Sequence, residues 1–367
     1  MKQLLAIIGS AAVAGVAMAT VDGFTTTLDI DGFADSTRVV ARIHDDGRDG
    51  GFRFDTLYLI NGHAELLDSS RVAEPTLMYL FTPGGTITAM VQNGHDEHIS
   101  GNIADIKNVA LTFEGAPWSG DIMDYNSRIG SRRDALNNQA RNFGKMSAEQ
   151  RDTLFVQMKE VDSLELRYYA GHPNSWIVLY MMQYRMMDMP RADVEAVLEA
   201  LLPEQRASRY GATIGRYLSF RTINVGDSLA DFNIIATDQN GNHTDLSKIT
   251  EPYILLDFSQ TYCGPCISAA KEIHEIKEKY AGKVAFVNYS CDNGEADWRV
   301  ALERDNPDWP SLFDGTGPFG DVCMSYAINS YPTFFVFGPD RRLLDRREGY
   351  GPGMLDMYIS GFIENCK

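Results

Sequence analysis

From residue 20 to about 118, β-branched and aromatic residues gather in short runs at 24–30, 38–43, 56–60, 76–81 and 86–91. Gly, Asp and Asn interrupt these runs roughly every ten residues, the punctuation of strands and turns. The pattern predicts an all-β sandwich-like domain over 20–118. From 119 to 222 the period lengthens to that of helices. Ser147-Ala-Glu-Gln150 forms a capping box before an amphipathic run to about Ala170, and Pro190 and Pro203 mark two further helix starts. Met181, Met182, Met186, Met187 and Met189 cluster in this helical region, at a spacing that suits core filling. After residue 223 strands alternate with helices. A stretch at 225–232 leads to a strand at 253–258, a helix at 263–280 and a strand at 284–289. Helices at 295–304 and near 320–327 precede the strand Thr333–Phe337, and a last helix covers about 354–364. That alternation predicts an α/β domain with a mixed sheet over 223–367. The chain is therefore expected to be multidomain.

The length of 367 residues suits two or three domains at roughly 150 residues each. Lys and Arg total 33 against 50 Asp and Glu, a formal charge of −17. Such an acidic surface argues against nucleic acid as a partner. Met1-Lys2 precedes an uncharged stretch over 4–19 that ends in Ala17-Met18-Ala19. This reads as a secretory leader at 1–19 cut after Ala19. Nothing later is apolar enough to span a bilayer, so the mature protein is expected to be exported, soluble and periplasmic. His95-Asp-Glu-His98 follows a turn signal and reads as a solvated loop, since a metal would need a further ligand.

All five cysteines lie after residue 262. Five are too few for a disulfide scaffold, but in an exported compartment disulfides persist. The decisive segment is Tyr253-Ile-Leu-Leu-Asp-Phe-Ser-Gln-Thr-Tyr-Cys263-Gly-Pro-Cys266, an apolar strand running into Cys-x-x-Cys at a helix start. Unpaired N–H groups and the helix dipole there stabilise a Cys263 thiolate, the species that attacks disulfides. Cys266 lies within the first turn, near enough to resolve a mixed disulfide. Pro265 costs nothing in that turn. A zinc site would want a second Cys or His pair, which the singletons Cys291, Cys323 and Cys366 do not form. Asp257 sits in the apolar strand, where a carboxyl is costly to bury; its use would be to exchange a proton with Cys266. Pro332, in Asn329-Ser-Tyr-Pro-Thr333, is spaced to be a cis-proline beside the sulfurs.

The set Leu-Asp257-Phe, Cys-Gly-Pro-Cys and Tyr-Pro-Thr333 resembles the thioredoxin superfamily over about 223–367. The stretch Val225-Gly-Asp-Ser-Leu-Ala-Asp-Phe232 and the insertion 291–320 with Trp298 and Trp309 point to its exported TlpA/ResA-like branch. The upstream β region is similar to domains of unknown function that precede such modules. The resemblance implies a thioredoxin-like fold, Cys263 as nucleophile, Cys266 as resolving thiol, Asp257 as proton acceptor and Pro332 as a cis-proline. Tyr262, Tyr331 and Thr333 would line the substrate groove. Tyr262 replaces the usual Trp, Lys271 the usual helix Pro, and Ala269 the Glu of ResA-like proteins. Tyr331 is larger than the common Ile or Val, which bears on substrate preference. In this fold Cys291, at a strand end, and Cys323, at a helix start, can come near enough for a structural disulfide; Cys366 has no obvious partner.

The expected function is thiol–disulfide exchange with protein substrates, in the reducing direction. No cofactor is expected beyond the Cys263–Cys266 disulfide, and no metal. The partners would be a disulfide-containing client and an upstream thiol donor. A peroxiredoxin-like thiol peroxidase is the first alternative, but Leu256 and Gln260 stand where that site resembles Pro and Thr. The second alternative is a partner-binding scaffold with an accessory redox domain.

Overall fold

The computed structural model describes residues 23–44, 52–69, 72–140 and 142–364. The expected leader at 1–19 and Cys366 lie outside the described residues. Two four-stranded sheets form the N-terminal region. In one, Phe24–Asp31 lies between His63–Asp68 and Glu97–Asn102, with Thr112–Glu114 at the edge. The other runs Phe52–Leu59, Thr37–His44, Thr76–Thr82, Gly85–Val91. Alternation explains the pairing of faces: Phe24, Thr26, Leu28 and Ile30 are buried, while the residues between them turn outward.

The helices that follow pack on these sheets. Ala148–Gly171 starts at the Ser147–Gln150 capping box, which satisfies two orphan amides at once. One continuous buried cluster runs from Phe24 and Leu28 in the strands through Trp118 to Ile177, Met182 and Tyr217 in the helices. Met182, Met186 and Met189 are buried in it, as their spacing predicts. His98 hydrogen-bonds Asp29, and His95 meets Trp118 edge-on.

The C-terminal domain holds a seven-stranded mixed sheet. Its order is His243–Asp245, Ile235–Asp238, Ser311–Phe313, Val284–Ser290, Tyr253–Ser259, Thr333–Phe337, Leu343–Glu348. Tyr253–Ser259 is central, parallel to Val284–Ser290 and antiparallel to Thr333–Phe337. A strand covered on both faces needs an apolar run, and six of its seven residues are buried. Ile254, Leu256 and Phe258 enter one core. Tyr253 and Leu255 enter the other, against Ala269 and Ile273 of the helix Gly264–Ile276. Asp257 shares the side of Leu255 and so faces that helix. At 225–232 the chain makes a turn through Gly226 (φ +92°) and then a 3-10 turn at Leu229–Phe232, not a strand.

The two regions touch beside the site. Met324 is wholly buried in the N-terminal cluster. Tyr184 and Phe319 rings stand 5.3 Å apart, and Asp188 accepts from Asn329.

Candidate functional site

The strand Tyr253–Ser259 delivers the chain to a turn in which Cys263 is the N-cap of Gly264–Ile276. Its Sγ accepts from the Cys266 amide at 3.2 Å, so a sulfur takes the place of the usual capping oxygen. Pro265 occupies the first turn. Cys263 and Cys266 are joined as a disulfide with Cα atoms 5.2 Å apart. Their exposure differs: Cys263 is half-exposed and Cys266 is buried. An incoming disulfide can therefore reach the first sulfur and not the second.

Asp257 lies beneath. It pairs with Asn288 in the register of the parallel strands, and the Asn288 amide donates to its Oδ2 at 3.3 Å. Its Oδ1 has no partner. Burial pushes this carboxyl up to about 7, with Asn288 opposing and the Asp305 charge adding to the rise. Asp257 and Cys266 line one small cavity with Asn288, Asp292, Arg304 and Trp309. It leaves about 30 Å³ for the centre of a water molecule, enough for at least one bridging water. A proton can pass between Cys266 and Asp257 across that space.

The Tyr331–Pro332 peptide is cis. Thr333 pairs with Phe258, so Pro332 stands level with the end of the central strand, where the motif turn begins. Tyr262 is exposed at the mouth, and its hydroxyl donates to Asp297 Oδ1 at 3.1 Å. Thr333, expected to line the groove, does not: it is fully buried and spends its hydroxyl on the Ser330 carbonyl at 2.8 Å. Tyr331 packs partly into the core, with its hydroxyl on the Cys291 sulfur. The structural disulfide expected between Cys291 and Cys323 is not formed: both are buried thiols, and their sulfurs stand 3.3 Å apart, beyond bonding distance.

Several contributors carry no sequence signal. Asp292 accepts from the Thr261 amide at 3.0 Å, the Thr261 hydroxyl at 2.8 Å and the Ser290 hydroxyl at 2.7 Å. Arg304 donates to the Thr261 carbonyl. Together they fix the backbone two residues before Cys263. The only hint was that Asp292 follows a strand parallel to the motif strand. Among the described residues no group of three or more His, Cys, Asp or Glu is placed to hold a metal ion.

Residues 251–343 match the thioredoxin-like family model. These residues form a thioredoxin-like domain. Within it the chain is similar to the thioredoxin-like protein YneN of Bacillus subtilis, 26% identical over 31% of this chain and 65% of that protein. It is also similar to the thiol-disulfide oxidoreductase ResA of Oceanobacillus iheyensis, 26% identical over 34% of this chain and 70% of that one. It spans 65% and 66% of the length of YneN and of a maize chloroplastic M-type thioredoxin. The thioredoxin domain of a thiol-disulfide oxidoreductase from Bacteroides vulgatus aligns at 21% identity and TM-score 0.34, over 38% of this chain and 98% of that one. The family-model match lies in the C-terminal part of the chain.

Proposed function

We propose that this protein is an exported thiol–disulfide oxidoreductase that reduces disulfides in protein clients. The observation that carries the reading is the half-exposed Cys263 capping a helix, with buried Cys266 one turn on and Asp257 beneath. In the reduced protein the Cys263 thiolate attacks a client disulfide and one client thiolate leaves. Cys266 then attacks Cys263 Sγ, freeing the second client thiol and closing the Cys263–Cys266 disulfide. Asp257, as carboxylate, takes the Cys266 proton in that second step. Two electrons pass to the client for each turnover, and a thiol donor restores the dithiol.

Export rests on the leader at 1–19; among the described residues no helix is long and apolar enough to cross a membrane. Cys263→Ser is expected to abolish insulin-disulfide reduction. Cys266→Ser is expected to accumulate mixed disulfides that survive acid quenching. Full insulin reduction by Cys263→Ser would overturn the reading.

A further inference from the structure

Cys291 and Cys323 play no part in the exchange just described. They are wholly buried, and the Cys323 thiol meets the Cys291 sulfur at 3.3 Å. A bonded pair stands at about 2.05 Å, so closing the gap asks for on the order of 1 Å, shared between two side chains. Each cysteine is tied to a different wall of the site. The Cys291 amide donates to the Ser259 carbonyl at 2.8 Å, and its carbonyl accepts from Gln260 at 3.2 Å, so it is pinned to the chain that enters the motif turn. Cys323 sits in the five-residue helix Asp321–Ser325, and its carbonyl accepts from Ile328 at 2.9 Å, where the chain turns toward Pro332. The Tyr331 hydroxyl closes the ring of contacts on the Cys291 sulfur.

We propose that Cys291 and Cys323 are a second redox couple, closed to a disulfide by a low-molecular-weight disulfide, which staples the cis-Pro332 loop to the motif side of the groove. Cys291 attacks one sulfur of the small disulfide R–S–S–R and releases R–SH. Cys323 then attacks Cys291 Sγ in the mixed disulfide and releases the second R–SH. Two electrons leave the pair, and its two protons depart on the two released thiols. Burial raises the Cys291 thiol, so its attack on the small disulfide is slow beside the attack of Cys263 on clients. This inference is independent of what Cys263 attacks.

The test uses the full chain equilibrated in glutathione mixtures from all reduced to all oxidised, then acid-quenched, unfolded, alkylated and mapped by peptide mass. A linked peptide pair joining Cys291 to Cys323 is expected, at a glutathione ratio distinct from that of Cys263–Cys266. Cys291→Ser should lose the pair and leave Cys323 alkylated or glutathionylated. Should Cys291 and Cys323 both stay alkylatable in glutathione disulfide alone, while Cys263–Cys266 is fully closed, the couple does not exist. In the linked state, amide exchange over 323–331 should slow at least several-fold relative to the dithiol. Equal exchange in both states would overturn the staple. Because Cys263→Ser retains both buried thiols, the same mapping on that variant separates this couple from the exchange site.

Discussion

At the residue scale the most informative side chain is Asp257. Its carboxyl binds a proton more tightly folded than unfolded, because burial raises it from 3.8 to about 7. The native state therefore loses stability as pH climbs from about 4 to 7, and the loss is complete above that window. A rise of that size is worth roughly 4 kcal/mol. Asp257→Asn removes the titration, so its advantage over the wild type should grow between pH 5 and pH 8 by roughly 3 kcal/mol, the two pH units of that window above pH 5. Urea midpoints at the two pH values measure it; an equal difference at both would contradict the burial argument. The same variant should slow exchange at the Cys266 step. Cys263, Cys266, Asp257 and Pro332 were legible because each carries its chemistry in its own side chain or ring. Asn288, Asp292 and Arg304 were not. A polar residue acquires its role only when folding brings the 284–304 segment beside the 253–261 segment, and nothing local foretells that.

At the element scale, the apolar strands were readable almost to the residue. Thr333–Phe337 and Val284–Ser290 stand where the pattern put them, because a doubly covered strand cannot hide its run of large side chains. The short strands Ile235–Asp238, His243–Asp245 and Ser311–Phe313 escaped, as three or four residues carry too little period to see. Another hidden device joins the motif helix to the last one. Buried Glu272 accepts from the Tyr350 hydroxyl at 2.7 Å and from the amides of Gly353 and Asp356, both at 3.0 Å. A carboxylate from one helix thus caps the N-terminus of Met354–Glu364. Glu272→Ala breaks three bonds and should cost roughly 3 kcal/mol, read as a lower urea midpoint at unchanged slope. An unchanged midpoint would show that water replaces the carboxylate without penalty.

At the scale of the whole molecule, the helical region is packed into the same core as the sandwich, which composition and period could not reveal. Its buried cluster reaches across to Met324, two residues before Tyr326 and close in sequence to the cis-proline loop. Met324→Ala should therefore cost roughly 2–5 kcal/mol and speed amide exchange on both sides, near 177–186 and near 321–328. Faster exchange confined to 321–328 would mean that the two bodies do not share this packing.

The unequal exposure of the motif sulfurs carries one more consequence. Of the four described cysteines, Cys263 alone has surface to offer; Cys266, Cys291 and Cys323 are sealed. For anything as large as a folded client the domain has a single door. Under the proposed exchange, clients would queue for it, and one that stalled there would shut out every other until Cys266 set it loose.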